Sequence, residues 1–282
     1  MSQSAAGLNI LSNVVTMGGS SVSAFGDLVT VENTPVVQID FVYGINSQLG
    51  AVTTANSATG DTSASRLRLQ SGTNTAGSAS YTSSRSAKYR PGQGMTARFT
   101  AVFTTGVASS TQIAGVGNTV DGYFFGFNGA TFGILHRNNS GDTWVAQSSW
   151  NGDTCDGTGA SAFNWTKTNG NVMQIRYPFL GYGDIRFYVM NSTDGTWILC
   201  HTIRYANSSA TVQLTNANLP FYAQSVNSGN NTNLIVYVGS VGVFVSGLRN
   251  FVGGPRWGVD ATKTTISTTE TNIISLRNAT TY

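Results

Sequence analysis

The chain has 282 residues, of which 33 are glycine, 10% are charged and 40% are hydrophobic. Its charged fraction is less than half of the roughly 25% usual in soluble domains. With 14 Phe, 11 Tyr and 5 Trp it nevertheless has the apolar side chains for a core, which excludes a disordered chain. The net charge is only +3, and the arginines occur singly, so we expect no nucleic-acid partner and interpret most arginines as solvated strand positions or ion-pair partners.

The first 35 residues mix Gly, Ser and Asn with isolated apolar residues and keep neither a helical nor a strand period. We expect residues 1–35 to form an arm that becomes ordered on a partner, with a flexible terminus as the alternative. The sequence shows no basic and apolar regions typical of a secretory signal, and no run approaches the roughly 20 apolar residues of a membrane span. We therefore expect cytosolic synthesis and no membrane insertion.

Alternating apolar residues begin at position 36 and predict strands. The stretch from position 51 to 65, rich in Ser, Thr, Ala and Gly, is expected to be a long loop or a weak edge segment. Gly239 and Gly242 are expected to mark a bend or bulge in the last predicted strand. The predicted strands cover Val36–Tyr43, Ala97–Thr105, Asn171–Phe179, Pro220–Val226 and Asn233–Val245.

Two β-hairpins are indicated by glycine turns. Asn128-Gly129 lies between two aromatic runs and predicts a type I′ turn, and Asp194-Gly195 separates two alternating segments. No window keeps a helical period. Many strands with Gly and Asn turns predict an antiparallel sandwich or barrel over residues 36–250, followed by a C-terminal tail, residues 251–282. Thr264–Leu276 is β-prone and is expected either to add a strand to a neighbouring subunit or to complete its own sheet.

Paired carboxylates would be required for glycan hydrolysis. The chain has no Glu between Glu32 and Glu270, which excludes the two-Glu catalytic strand of concanavalin-like glycosidases. Asp153 and Asp156 remain as a pair, and we favour Asx turns, in which the carboxylates accept hydrogen bonds from backbone amides. We accordingly expect no enzymatic activity, with an Asp-dependent carbohydrate-active enzyme as an alternative.

Histidine and cysteine offer little further chemistry. His136 ends a hairpin strand, and Cys200 and His201 are neighbours on a strand, so their side chains should point to opposite faces and form no dyad. Cys155 and Cys200 lack any spacing typical of zinc ligands. We expect both thiols to be free and no metal or other cofactor to be bound.

A glycan site is the remaining candidate. Trp144, Trp150 and Trp165 flank the loop that carries Asp153 and Asp156, and exposed aromatic rings there would stack on a sugar. Burial of the tryptophans in the core is the favoured alternative. Asp153, Asp156 and Asn151 would offer oxygens to calcium, but their spacing does not match that of an EF-hand loop, so we do not expect a bound cation.

The order of short motifs between positions 23 and 247 resembles a family of virion structural proteins found in tailed phages and large DNA viruses. The series as a whole is more specific than any single motif. The motifs are Ser23–Asp27, Thr34–Phe41, Tyr89–Gly94, Arg98–Thr100, Asp121–Gly129, Phe132–Leu135, Ser149–Asn151, Asp156–Gly159, Gln174–Arg176, Leu180–Gly183 and His201–Ile203.

This resemblance implies a concanavalin A-like jelly roll displayed on a particle as a capsid, decoration, fibre or vertex component. It implies assembly in the host cytoplasm, a homo-oligomer, and contacts with other capsid or particle proteins. It carries no catalytic residues. The first alternative is a carbohydrate-binding module that recognises a host surface glycan as a receptor.

Overall fold

The structure is a computed structural model that describes residues 33–247, so the predictions for the N-terminal arm and for Thr264–Leu276 lie outside the described residues. Within residues 33–247 the chain forms fifteen strands and one short 3₁₀ helix, Gln147–Ser149. The strands are β1 (Asn33–Asp40), β2 (Gly50–Ala55), β3 (Thr59–Ser63), β4 (Arg66–Gln70), β5 (Ser78–Ala87), β6 (Met95–Phe103), β7 (Ser110–Gly117), β8 (Gly122–Asn128), β9 (Thr131–Asn138), β10 (Gly141–Ala146), β11 (Asn171–Tyr177), β12 (Ile185–Met190), β13 (Trp197–Ile203), β14 (Leu219–Asn227) and β15 (Ile235–Ser246).

The strands form two antiparallel sheets. The eight-stranded sheet has the order β13-β12-β11-β6-β15-β4-β3, with β1 also paired to β15, and the seven-stranded sheet has the order β10-β9-β8-β7-β14-β5-β2. One strand, β15, is long enough to pair with β4 through its first half and with β1 through its second. The predicted all-β, antiparallel jelly-roll sandwich is confirmed.

The core lies between the two sheets and is rich in aromatic rings. Along β6, Phe99 and Phe103 are buried while Arg98 is exposed, as expected when successive side chains point to opposite faces. Phe99 packs on Phe221 of the other sheet at a centroid distance of 5.6 Å. The same alternation therefore fills the core on one face of β6 and leaves polar side chains on the other.

Both predicted hairpins are present, although the first turn differs from the prediction. Asn128 still pairs with Thr131, so the central residues are Gly129 and Ala130. Only Gly129 has a positive φ, 59°, and one positive φ at the first central position is typical of a type II′ turn. The second hairpin joins β12 to β13, with Gly195 at φ 73°.

Other details refine the predicted strands. The segment from position 51 to 65 contains β2 and β3, which are edge strands of different sheets, so its interpretation as a weak edge segment is confirmed. The pairing of β15 with β6 shifts between Val238 and Val241, which confirms an irregularity at Gly239, whereas Gly242 pairs regularly. Strands β4, β5, β7 and β10 were not among the predicted ones.

Candidate functional site

The loop between β10 and β11 carries four of the five predicted glycan-binding residues. It is attached to β13, because the Gly152 amide donates to the Cys200 carbonyl (3.0 Å) and the Asp153 amide to the Leu199 carbonyl (2.9 Å). These backbone bonds hold the loop against β13, the edge strand of the eight-stranded sheet. The loop therefore has a defined position relative to the core.

The two tryptophans of this loop, Trp150 and Trp165, belong to the core. They are 5% and 2% exposed. Trp165 lies 5.0 Å from Phe132 and 5.5 Å from Phe125, measured between ring centroids. Their rings fill the end of the space between the sheets and leave no face for a sugar. The favoured interpretation, that Trp150 and Trp165 belong to the core, is confirmed, and the glycan-stacking role considered for them is wrong.

The two aspartates of the loop accept hydrogen bonds from their own turns. Asp153 is buried and accepts from the amides of Cys155 (2.8 Å) and Ser161 (2.7 Å). These bonds lower its pKa although burial opposes them. Asp156 is exposed, and hydrogen bonds from Thr158 and Thr154 lower its pKa to about 2. Both residues behave as the Asx-turn interpretation predicts.

Trp144 lies elsewhere, on β10, and is half-buried. It packs against a small apolar cluster of Ile113, Phe124, Leu135 and Tyr222. Because Phe124 alternates with the core residues Tyr123 and Phe125, this cluster lies on the side of the seven-stranded sheet that points away from the core. The five predicted residues therefore occupy separate environments and form no common site. Within residues 33–247 no group of three His, Cys, Asp or Glu side chains is arranged to hold a metal ion.

Cysteine and histidine are placed by a bulge in β13. The register shifts opposite Phe187 and Tyr188, and Cys200 is the extra residue. The Cys200 thiol is free and fully buried, and its Sγ is 3.7 Å from the Sγ of Cys155. His201 accepts from the amide of Asn151 at 3.2 Å. The two neighbouring side chains, Cys200 and His201, have different partners, in agreement with the prediction that they form no dyad.

His136 is held in a buried polar network. Its Nε2 donates to the carbonyl of Gln213 at 2.6 Å, and its ring stacks on Tyr123 with the centroids 5.4 Å apart. Tyr123 in turn donates to the side chain of Gln213 at 2.6 Å. Burial lowers the pKa of His136, so the ring is neutral at physiological pH. This network joins β8 and β9 to the segment before β14 and does not reach the loop of Asp153.

A different group of residues lies on the outward side of the eight-stranded sheet, which we call the outer face. The register places side chains in rows across it. One row runs from Gln38 of β1 through Gly242 of β15 and Arg98 of β6 to Gln174 of β11. Because Gly242 has no side chain, the row is open between Gln38 and Arg98. Phe244 follows on the same face of β15.

The opening at this position is a groove with a volume of about 380 Å³, which we call the Gly242 groove. Its walls combine a cation, a carboxylate, an amide, hydroxyls and aromatic residues. They come from four strands and include Gln38, Asp40, Arg98, Thr100, Ser240 and Phe244. A Cβ atom built on Gly242 would lie 2.9 Å from the Phe244 ring, so any other residue would narrow the groove.

Arg98 is fixed from several sides. Its Nε donates to Oε1 of Gln174 at 2.8 Å. Its guanidinium carbon lies 5.7 Å from the ring centroid of Trp197 and 5.8 Å from that of Phe244. Gln174 is itself buried, so the acceptor of this hydrogen bond has little freedom to move. Among residues 33–247, the two terminal nitrogens of Arg98 have no hydrogen-bond acceptor, and they remain available to a ligand.

One signal for this surface is present in the sequence, namely the arginines that occur singly in predicted strands. Arg98, Arg176 and Arg186 were interpreted as solvated strand positions or ion-pair partners. All three are exposed strand residues, whereas Arg68 and Arg137 form ion pairs with Asp61 and Asp142. What the sequence could not reveal is the strand order, which places the three arginines on adjacent strands of one face.

The two packed antiparallel sheets define the class of protein as an all-β, jelly-roll sandwich. No family model matches the chain, and no curated protein matches it. Among solved structures it is similar to arcelin-5, a lectin-like defence protein from Phaseolus vulgaris, with 14% identity, a TM-score of 0.46, and coverage of 78% of this chain and 100% of that one.

Two further similarities are of the same kind. The carbohydrate recognition domain of Emp47p has 11% identity and a TM-score of 0.45, over 79% of this chain and 100% of that one. Botulinum neurotoxin type C, in a structure described by its interaction with two ganglioside molecules, has 10% identity and a TM-score of 0.45, over 75% of this chain. The matched region spans about half of the toxin chain, 47%. Such distant similarity does not extend to ligands.

Within residues 33–247, no helix is long and apolar enough to cross a membrane.

Proposed function

We propose that the chain is a carbohydrate-binding domain displayed on a virus particle, and that the Gly242 groove is its sugar site. The observation that carries this proposal is the composition of the groove. Sugars present hydroxyl groups around rings that also have apolar C–H faces. Arg98 supplies donors, Asp40 supplies acceptors, and Phe244 supplies an apolar surface, all within one cavity.

The size of the groove supports the same function. Its volume, about 380 Å³, falls within the roughly 300–1,000 Å³ typical of small-molecule sites. The groove is shallow because it lies on a sheet face, which suits one or two sugar rings of a longer glycan rather than an enclosed small molecule. Gly242 is essential to this shape because its missing side chain leaves the floor open.

Preorganisation of Arg98 is a second support. A free arginine side chain loses rotamer freedom on binding, at a cost of about 0.5–1.5 kcal/mol. In this protein Gln174, Trp197 and Phe244 already restrict the side chain. A sugar oxygen that accepts from the terminal nitrogens of Arg98 would therefore bind with a smaller entropic penalty.

The alternative of an Asp-dependent enzyme has less support. A general acid has to be protonated at the working pH, which requires a raised pKa. The pKa of Asp153 and of Asp156 is lowered instead, because both accept several hydrogen bonds within their own turns. The proposal is therefore binding without turnover.

Display on a particle rests on the ordered motifs between positions 23 and 247, which resemble those of virion structural proteins. Homo-oligomerisation and contacts with other particle proteins belong to this part of the proposal. Mass spectrometry of purified virus particles tests it directly. Recovery of peptides from this chain at a fixed ratio to the major capsid protein is expected, and their absence from intact particles would contradict it.

Glycan binding is tested with a glycan array followed by calorimetric titration of the best ligands. Arg98→Gln should weaken binding by about 10-fold, because it removes a charge-assisted donor from the groove. Arg85→Gln is the matched control, since Arg85 is an exposed residue of β5 in the other sheet. Equal losses in both variants, or no glycan bound by the folded wild type, would overturn the proposal. Release of new reducing ends would show turnover instead.

A second variant tests the shape of the groove. Gly242→Ala adds a single methyl group, which would lie 2.9 Å from the Phe244 ring. We expect the folded variant to bind glycan more weakly than the wild type. Gly170→Ala is the control, because nothing lies within 4 Å of a Cβ at that position. Unchanged affinity in Gly242→Ala would show that the sugar lies elsewhere.

A further inference from the structure

Two arginines face each other directly on the outer face. Arg176 of β11 and Arg186 of β12 are register partners, and both are exposed. Like charges in directly opposed cross-strand positions destabilise a sheet. Within residues 33–247, neither arginine has an acidic ion-pair partner. The pair therefore costs stability unless something negative neutralises it.

The surroundings of the pair form a second cavity of about 220 Å³. Arg176 and Arg186 line it together with Thr96, Asp184 and Ser246. The guanidinium carbon of Arg176 lies 5.9 Å from the ring centroid of Tyr188, which restricts that side chain. Asp184 is the one acidic residue of this cavity, and it forms no ion pair with either arginine.

The cavity adjoins the Gly242 groove. Thr96, which lines the cavity, pairs with both Phe244 and Arg176, and Phe244 lines the groove. Arg98 lies two residues from Thr96 on the same face. Arg98 therefore lines the groove, Arg176 and Arg186 line the neighbouring cavity on the next two strands, and Asp40 lies on β1 at the opposite side of the groove.

We infer that the Arg176–Arg186 pair binds the carboxylate of an acidic sugar whose ring occupies the Gly242 groove. This inference rests on the proposed glycan-binding function and names its ligand class. A guanidinium presents a planar set of donors that matches a carboxylate, and two of them side by side provide more donors than a neutral sugar needs. An anion between the arginines also removes their mutual repulsion.

The test compares matched glycans that differ only in one carboxylate, such as a sialylated oligosaccharide and its desialylated form. Wild type should bind the acidic form at least about 10-fold more tightly, and Arg186→Gln should lose most of that preference while it keeps its affinity for the neutral form. Arg85→Gln should behave as wild type. Equal affinity for both glycans would overturn this inference but leave glycan binding intact. No binding of either glycan would overturn the proposed function itself.

A stability measurement separates ligand recognition from misfolding. Without ligand, Arg186→Gln should melt at the same temperature as wild type or higher, because it removes a like-charge contact. Saturating acidic glycan should raise the melting temperature of wild type more than that of the variant. A variant that melts lower without ligand would show that the pair is structural, which would contradict the inference.

An independent inference concerns the two thiols. Cys155 lies in the loop that follows β10, Cys200 is the bulged residue of β13, and their Sγ atoms are 3.7 Å apart across a sequence separation of 45 residues. Both side chains are fully buried. They are the only cysteines of the chain. Their contact is consequently a unique pairing with no competing thiol.

We propose that Cys155 and Cys200 form a disulfide when the protein meets a small-molecule disulfide such as oxidised glutathione. The two protein thiols lose two protons and two electrons and form one S–S bond, and the oxidant is reduced to two thiols. The reaction passes through a mixed disulfide and requires transient opening of the loop, because both thiols are buried. The bond would fasten the loop to β13.

Intact-mass measurement after incubation with oxidised glutathione tests this proposal. The expected product is lighter by two hydrogens, contains a Cys155–Cys200 peptide, and melts at a higher temperature than the reduced form. Cys155→Ser should give at most a mixed disulfide at Cys200. Two thiols that remain alkylatable after long oxidation, or a stable mixed disulfide in the wild type, would overturn the proposal.

Discussion

Trp150 shows how a single aromatic side chain can be essential to the fold in a position where the sequence also suggests a ligand contact. Its ring lies 6.0 Å from Trp165 and is 5% exposed. We expect Trp150→Ala to lower the free energy of unfolding by about 3–5 kcal/mol, because it leaves a cavity in the core. Urea unfolding measures this. Trp144→Ala should cost less, since Trp144 is half-buried, and a larger loss in that control would contradict the assignment.

His136 should make stability depend on pH. Burial lowers its pKa below the ordinary value of about 6.5, so the unfolded state binds a proton more readily than the folded state. The free energy of unfolding should therefore fall as the pH drops below about 6.5 and level off once the pH is below the folded pKa. Urea midpoints between pH 7.5 and pH 5 measure the effect.

Two variants assign this pH dependence. His136→Gln should flatten part of the slope, and the remainder should come from His201, whose pKa burial also lowers. The double variant should show little dependence in this range, since these two are the histidines of the chain. A slope unchanged by either substitution would contradict the role of these histidines.

For single residues, the local hydrogen bonds of a side chain could be predicted from the sequence better than its position in the folded chain. The Asx turns of Asp153 and Asp156 follow from local side-chain preference, so they were predictable. Burial of Trp150 depends on contacts with Phe125 and Phe132, which are distant in sequence. The Gly242 groove could not be predicted either, because only non-local strand pairing places Gln38 and Arg98 on the two sides of Gly242.

The β8–β9 hairpin illustrates the element scale. Gly129 has a φ of 59°, which is strained for β-branched residues. Gly129→Val should lower the free energy of unfolding by about 1 kcal/mol or more. Gly129→Asn is the matched control and should cost less, because asparagine tolerates this conformation. Urea unfolding distinguishes them, and equal losses would point to side-chain contacts rather than to backbone conformation.

Local patterns predicted strands well where one face is buried and the other is exposed, as in β6 and β15. They failed for β7, whose burial is nearly continuous because the seven-stranded sheet is covered by apolar clusters on both faces there. In β5 the buried residues Ala79 and Ser83 are small or polar, so the apolar alternation in its sequence is weak. The pairing partners of every strand are non-local and cannot be derived from such patterns.

The whole molecule allows a test of which part folds independently. All fifteen described strands lie within residues 33–247. We expect a fragment with these bounds to unfold in a single transition at about the melting temperature of the full chain. The predicted role of the terminal segments in assembly lies outside these residues. Light scattering of both proteins tests it, and a fragment that fails to fold would contradict an autonomous sandwich.

The first and last described strands have a mechanical consequence. Asn33 of β1 is the register partner of Ser246 of β15, so the sandwich begins and ends at adjacent points on one sheet. Force applied between these two residues would break the hydrogen bonds between β1 and β15 one after another. Force applied along the strands would instead load all of these bonds at once. In optical tweezers, pulling from residues 33 and 246 should open the domain at low force, and pulling from positions across the sheet should require much more. The same proximity would allow the whole sandwich to be inserted into a surface loop of another protein, or circularly permuted, without distortion of its sheets.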